Sequence, residues 1–240
     1  MILKKKNRNI PLKALLLSAG LGTRLRPLTL DKPKCLIEIK GEPILEYWLK
    51  ILEKLNVEEV VINTHYLHYQ VRKFIQSRNC TSLNIYESFE KQLLGTAGTL
   101  INNIEFFKGS IGLIIHSDNY TKADLSGLIN AHMLKPKNCL LTMLTFNTNN
   151  PSSCGIVEVE NKIVKRFYEK VSNPPCKKAN GAIYVFDDIF LEWLNNLNPK
   201  PTDFSTEVIP LLMDKIFTWH TEEYFLDIGT PSALNEARHL

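Results

Sequence analysis

Short apolar runs alternate with segments of helical periodicity through the first two thirds of the chain. This alternation restricts the fold more than any other feature. ALLLS (14–18), EEVVIN (58–63), SLNIYE (82–87), IGLIIHS (111–117) and CLLTMLT (139–145) read as buried strands. Between them, PILEYWLKILEKL (43–55), HYQVRKFIQS (68–77) and ADLSGLINAHML (123–134) carry apolar residues at helical spacing. Strand, helix and strand repeated in this way build a parallel, doubly wound α/β sheet with right-handed crossovers. Trp48, Ile51, Leu52 and Leu55 form a helix face that packs on such a sheet. Ligands bind where the loops leave the carboxyl ends of the strands.

The texture changes after residue 150. GIVEVENKIVKRFYEK (155–170) alternates as a hairpin with its turn at Glu160-Asn161, and ANGAIYVF (179–186) reads as a further strand. VSNPPCKK between them is a loop, while 187–197 and 203–215 are expected helices, the second opening on capping residues. No repeat, low-complexity tract or flexible linker interrupts the 240 residues. The expectation is one domain over 1–240, a mostly parallel sheet with a basic tail at 1–12 and a β-rich insertion or lid at 150–186.

With 44% hydrophobic and 22% charged residues, the chain can bury a substantial core. Much of the net charge of +4 lies in Lys4, Lys5, Lys6 and Arg8, with no aromatic or amphipathic pattern around them. That reads as a solvated tail, and neither nucleic acid nor a membrane is an expected partner. ALLLSAG is too short to span a bilayer, and glycines, arginines and prolines follow it where a signal peptide would carry a cleavage site. Cys35, Cys80, Cys139, Cys154 and Cys176 are scattered without a CxxC pair, which suits free thiols in a reducing cytoplasm. A homodimer is a candidate assembly.

Gly20 and Gly22 follow the first strand, so backbone N–H groups can approach an anion without interference from Cβ. GLGTRL fails the dinucleotide GxGxxG at Leu25 and lacks the GK[ST] ending of a P-loop. The longer stretch SAGLGTRLRPLT followed by DKPKCLIEIKGEPILEY is far more specific. It resembles the opening of the sugar-nucleotide pyrophosphorylases, the sugar-1-phosphate nucleotidyltransferases. Leu17, Ala19, Gly20, Gly22, Thr23, Arg24, Leu25, Pro27, Thr29, Pro33 and Lys34 match that pattern in order.

The resemblance runs from about residue 13 to 238 and implies a Rossmann-like, GT-A-like nucleotidyltransferase fold. It implies that Arg24 and Lys34 are catalytic residues reaching a triphosphate, and that Ser18, Ala19, Gly20, Gly22 and Thr23 cradle the nucleotide. Fixed cations would offset the repulsion between two phosphates and stabilise departing pyrophosphate. Arg26 and Lys32 read as surface residues beside a turn. Asp118 ends a predicted strand, and Asp227 lies in YFLDIGTP. The resemblance makes both ligands of Mg2+, which prefers one or two carboxylates together with phosphate oxygens and water. His65, His116 and His132 are read as structural, with His116 near enough to Asp118 to line the site.

Base selection in the resembled family draws on the segment YESFEKQLLGTAGTL (86–100), and LGTAG is similar to guanylyltransferases that make GDP-mannose and related sugars. Gly95 would admit the base, and Glu90 or Glu87 could accept both N1–H and the exocyclic amine of guanine. Thr96 and Ala97 start the next helix. On the sugar-phosphate side, Gly155, the Glu169-Lys170 pair and Asn180 resemble family residues that hold sugar hydroxyls and phosphate. Each of these also suits ordinary turn chemistry. The reading is a Mg2+-dependent, single-activity transferase joining a nucleoside triphosphate, GTP first, to mannose, heptose or another sugar 1-phosphate. Two alternatives stay open: a uridylyl- or cytidylyltransferase that uses another sugar phosphate or phosphocholine, and a non-catalytic subunit that binds nucleotide sugars.

Overall fold

The computed structural model describes residues 10–78 and 82–239, so the basic cluster at 4–8 and Cys80 lie outside the described residues. The chain opens with β1 (Leu12–Leu17), a small hairpin β2 (Glu38–Ile39) and β3 (Glu42–Pro43), and helix α1 (Ile44–Lys54). β4 (Glu59–Thr64), α2 (His68–Ser77), β5 (Asn84–Phe89), α3 (Gly95–Asn102), α4 (Ile104–Phe107) and β6 (Ile111–His116) follow. Next come β7 (Asn119–Thr121), α5 (Leu125–Met133), β8 (Leu141–Asn147), β9 (Gly155–Glu160), β10 (Ile163–Glu169) and β11 (Lys178–Phe186). The C-terminal part holds α6 (Asp188–Asn195), β12 (Ile216–His220), β13 (Phe225–Asp227) and α7 (Pro231–His239).

Among the described residues, nine strands join in the order β5-β4-β1-β6-β11-β8-β12-β10-β9. Both faces are covered, which explains why β1 is apolar without alternation. Ala14 and Leu16 pack with Trp48, Leu49 and Leu52 on one face. Leu15 turns to the other, where Leu100, Phe107, Tyr184 and Phe190 form a second layer.

The expected parallel sheet is present in its first half, where β1 pairs with β4 and β6, and β4 pairs with β5. The second half is mixed. β11 runs antiparallel between β6 and β8, and β10 runs antiparallel to both β12 and β9. An apolar run reads the same in either direction, so the reversal of β11 leaves no mark in the sequence. The β9–β10 hairpin turns one residue later than expected. Glu160 pairs with Ile163, and Asn161 and Lys162 both have positive φ, the conformation of a two-residue type I′ turn.

The stretch 203–215 is not an α-helix. Asp203 caps it by accepting from Thr206 N at 2.8 Å, but a π turn (Phe204–Val208) gives way to a 3-10 turn (Ile209–Leu212). Pro210 supplies no N–H for a continuing helix.

Candidate active site

The loop after β1 is fixed from β4. Asn63 Oδ1 accepts from Ser18 N at 2.6 Å and from Ala19 N at 3.3 Å, while Ser18 Oγ donates to Ser117 Oγ at 2.9 Å. Beyond these, Leu21, Gly22 and Thr23 have N–H groups that meet no protein acceptor among the described residues. Gly22 has φ +63°, and a Cβ there would lie 2.9 Å from Thr29 Cγ2 and 3.3 Å from Lys34 Cβ. Thr29 Oγ1 closes the turn by donating to Gly22 O at 2.7 Å. A Cβ on Gly20 would meet nothing within 4 Å, so this glycine faces open space. The result is a concave run of free donors, the geometry of an anion nest.

Asp118 and Asp227 are distant in sequence, and a strand pair unites them. β13 runs antiparallel to β7 with Asp227 opposite Asn119, and Ile228 N donates to Asp118 O at 2.9 Å. Helix α1 anchors this pair, since Trp48 Nε1 donates to Asn119 O at 2.9 Å and Tyr47 Oη donates to Thr121 O. Trp48 therefore does more than fill the helix face.

Lys34 Nζ donates to Asp118 Oδ2 and lies 3.9 Å from Asp227 Oδ1; Arg24 Nη2 is 3.9 Å from Asp227 Oδ2. Lys34 is nearly enclosed, whereas the Arg24 guanidinium is exposed. Burial works to raise the Asp118 carboxyl, but the Lys34 ammonium overcomes it and holds it below the usual range. Asp227 is pushed up, first by burial and then by the Asp118 charge, with Lys34 and Arg24 opposing. Gly229 leaves room for this arrangement: a Cβ there would lie 2.7 Å from Arg24 Nη2 and 2.8 Å from Asp227 Oδ1. Among the described residues no group of three or more His, Cys, Asp or Glu side chains is gathered as a metal cage. Two mutually repelling, oxygen-only donors beside an anion nest fit a hard divalent cation that takes its other ligands from phosphate and water.

A cleft of about 220 Å3 continues from this mouth, lined by Ser18, Ala19, Lys34, Asn63, Glu90, Gly95 and His116 among others. Glu90 is buried, and its carboxylate is already engaged. Oε1 accepts from Asn63 Nδ2 at 2.9 Å and Thr99 Oγ1 at 2.5 Å, and Oε2 accepts from Leu94 N at 3.1 Å. Glu87 turns elsewhere, to Thr64 Oγ1 and Arg72 Nε. Gly95 has φ +76°, and a Cβ would strike Thr202 O at 2.4 Å; Thr202 O also accepts from Ala97 N at 2.9 Å. A glycine is thus required here by the chain's own packing, and the residue lines the cleft.

The sugar-side residues gather on β9, β10 and β11. Gly155 pairs with Glu169, and a Cβ at Gly155 would be 2.9 Å from Glu169 Oε2. Lys170, largely exposed at φ +49°, places Nζ 3.2 Å from Glu169 Oε1. Asn180 is folded onto its own strand, where Nδ2 donates to Tyr184 Oη at 2.7 Å and Oδ1 accepts from Ala182 N at 2.9 Å. Burial drives the Tyr184 phenol up, and the charges of Glu169 and Asp203 add to that. Asn119 Nδ2 donates to Gly181 O at 3.0 Å, which ties the Asn180 segment to the strand that follows Asp118.

The nucleotidyl transferase family profile matches residues 13–240. The chain belongs to the nucleotidyl transferase family. It is 30% identical over 234 residues to a mannose-1-phosphate guanyltransferase of Schizosaccharomyces pombe, covering 92% of this chain and 61% of that one. The chain spans about three fifths of the length of the curated relatives it matches. Among solved structures, a putative glucose-1-phosphate thymidylyltransferase from Bacillus anthracis, in complex with a sucrose, superposes with a TM-score of 0.86 at 19% identity. That match covers 95% of this chain and 94% of the other. HddC from Yersinia pseudotuberculosis, complexed with GMP-PN, gives a TM-score of 0.79 at 22% identity over 95% of this chain and 98% of the other. Both share the fold.

Two polar residues of this family member escaped the sequence reading, Asn63 and Asn119. Both are buried, and both end or follow apolar runs at the carboxyl edge of a strand. That position was the available signal, because a polar side chain closing a buried strand needs partners at the ligand edge. His132 is a satisfied core histidine, with Nδ1 3.0 Å from Thr142 Oγ1. His65 Nδ1 donates to Glu90 O at 2.8 Å. His116 lines the cleft, and burial pushes its imidazole down despite nearby Asp118. No helix among the described residues is long and apolar enough to cross a membrane.

Proposed function

We propose that this domain transfers a nucleotidyl group from a nucleoside triphosphate to a sugar 1-phosphate, releasing pyrophosphate. The observation that carries the reading is the convergence of Lys34 and Arg24 on Asp118 and Asp227 at the mouth of a loop with free N–H donors. An oxygen of the sugar phosphate attacks the α-phosphorus, the new P–O bond forms, and the bond to the β-phosphate bridging oxygen breaks. The nucleophile is already an anion, so no protein base removes a proton. Lys34 and Arg24 lower the repulsion between the two substrates and stabilise the charge on leaving pyrophosphate. Asp118 and Asp227 would hold a divalent cation, Mg2+ by donor type, which supplies further charge neutralisation at the phosphates when bound.

For the base, guanine is the first choice. It is supported by LGTAG and by the printed activity of the fission-yeast relative. Glu90 offers the base the remaining acceptor site on Oε2, a single contact where the sequence suggested a bidentate one. Mannose 1-phosphate leads among the sugars, with heptose 1-phosphate next, and Glu169, Lys170, Gly155 and Asn180 form their side of the site.

Pyrophosphate release with Mg2+, crossing GTP, UTP, CTP, dTTP and ATP with a panel of sugar 1-phosphates and phosphocholine, tests the reading. Release with GTP and one hexose or heptose 1-phosphate is expected. Release only with another nucleotide would discard guanine, and silence with retained nucleotide-sugar binding would favour a non-catalytic subunit.

A further inference from the structure

Asn63 sits on β4, between the strand that feeds the phosphate loop and the strand that leads to Glu90. Its in-register neighbours are Leu17 on β1 and Ser88 on β5. Its side chain is 4% exposed and makes four hydrogen bonds. Oδ1 takes the N–H groups of Ser18 and Ala19, and Nδ2 reaches Glu90 Oε1 at 2.9 Å and Thr99 Oγ1 at 3.2 Å. The amide orientation follows from its partners, since backbone N–H groups only donate and an ionised carboxylate only accepts. No other side chain among the described residues hydrogen-bonds both the phosphate loop and the Glu90 carboxylate.

We infer that Asn63 is a positioning residue that couples the triphosphate loop to base selection, by fixing Glu90 and the Ser18–Ala19 segment through one amide. This rests on the proposed nucleotide site. Reversing the amide would set its oxygen against the Glu90 carboxylate and its NH2 against two N–H donors, so one arrangement is strongly favoured. Glu90, which lines the cleft, then keeps Oε2 on Leu94 N while Oε1 is held by Asn63 and Thr99.

The discriminating variant is Asn63→Asp, which keeps the shape and the acceptor for the loop. It replaces the donor facing Glu90 with a second carboxylate. Near neutral pH the contact between the introduced carboxylate and Glu90 becomes a repulsion, whereas at lower pH one proton shared by the pair restores a donor. Other groups facing this region are Lys34, Cys35, His116 and Asp118 from the cleft wall, His65 through the Glu90 carbonyl, and Glu87 with its partner Arg72 on the edge side. Each value is read as a ratio to wild type at the same pH, so that any titration common to both proteins cancels.

Discrimination between GTP and the other nucleotides is measured from pH 5.5 to 8, both as kcat/KM for pyrophosphate release and as equilibrium binding of the nucleotides. Asn63→Asp is expected to lose roughly tenfold or more of that discrimination at pH 8 and to regain most of it by pH 5.5. Thr99→Val, which adds no charge, should lower discrimination without recovery at acid pH. Retained discrimination in Asn63→Asp at every pH would overturn the inference. So would an equal loss for all nucleotides that does not vary with pH. If wild type releases no pyrophosphate with any pair, the proposed activity fails, and the binding ratios still decide the role of Asn63. Melting curves of both variants establish that they are folded before either ratio is read.

Discussion

Replacing Lys34 with Met should separate the electrostatic role of this side chain from its packing. Lys34 has an enclosed ammonium in contact with Asp118 Oδ2 and 3.9 Å from Asp227 Oδ1. Deleting a charge-assisted hydrogen bond of the first kind costs about 1.5–3 kcal/mol. The second contact involves a half-exposed carboxylate and adds under about 1 kcal/mol. A destabilisation of about 2–3 kcal/mol at pH 7.5 follows, measured by urea unfolding in the presence of a chelator. Its pH dependence has a definite sign. In the wild type, burial raises the Asp118 carboxyl, but Lys34 holds it below the usual range. Asp118 therefore contributes stability above the unfolded value of about 4 and loses it as pH falls through its lower folded value. Without Lys34, burial and mutual repulsion raise both carboxyls, and protonation relieves the variant as the solution is acidified. The gap between wild type and Lys34→Met should shrink between about pH 6 and pH 4. Turnover should fall by about 10²–10³ at neutral pH. A stability gap that stays constant with pH, or a variant as stable as wild type at pH 7.5, would refute this account of the ion network.

Three further perturbations address separate parts of the site. Asp118→Asn and Asp227→Asn should each lower turnover by about 10²-fold or more while leaving the melting curve cooperative, and wild-type turnover in either would remove that residue from cation binding. Gly95→Ala should destabilise by about 2–3 kcal/mol in chemical denaturation, because φ is +76° and the new methyl meets Thr202 O at 2.4 Å. Unchanged stability there would show that the 202 segment yields. Glu90→Gln should narrow the kcat/KM ratio of GTP over UTP, and an unchanged ratio would take Glu90 out of base selection.

The parts of the fold set by hydrophobic period were readable, and those set by pairing were not. β1, β4 and β6, with α1, α2 and α5, follow from apolar runs and helical spacing, as does the glycine loop with Lys34 close behind. By contrast β5, expected to be buried, is an edge strand with Tyr86 and Phe89 exposed. Asp118 could be placed at a strand end from LIIHSD alone. Its meeting with Asp227 depends on β7 and β13, three residues each, too short to carry a pattern. The direction of β11 was hidden because a buried strand is apolar whichever way it runs. In 203–215 the cap at Asp203 was legible, but Pro210 interrupts the helix that the cap announces. Glu90 was found as a candidate, yet the engagement of its Oε1 by Asn63 and Thr99 needed three elements in space. The same holds for Asn63, whose role appears only when β1, β4 and the Glu90 segment are seen together.

If the mouth formed by Arg24, Lys34, Asp118 and Asp227 performs transfer, the products reveal it most directly. Phosphorus NMR of the protein with Mg2+, GTP and mannose 1-phosphate should show the coupled resonances of a nucleoside diphosphate sugar growing in equal amount with pyrophosphate. Nucleotide consumed without any diphosphate sugar, across the whole panel of sugar phosphates and nucleotides, would contradict it.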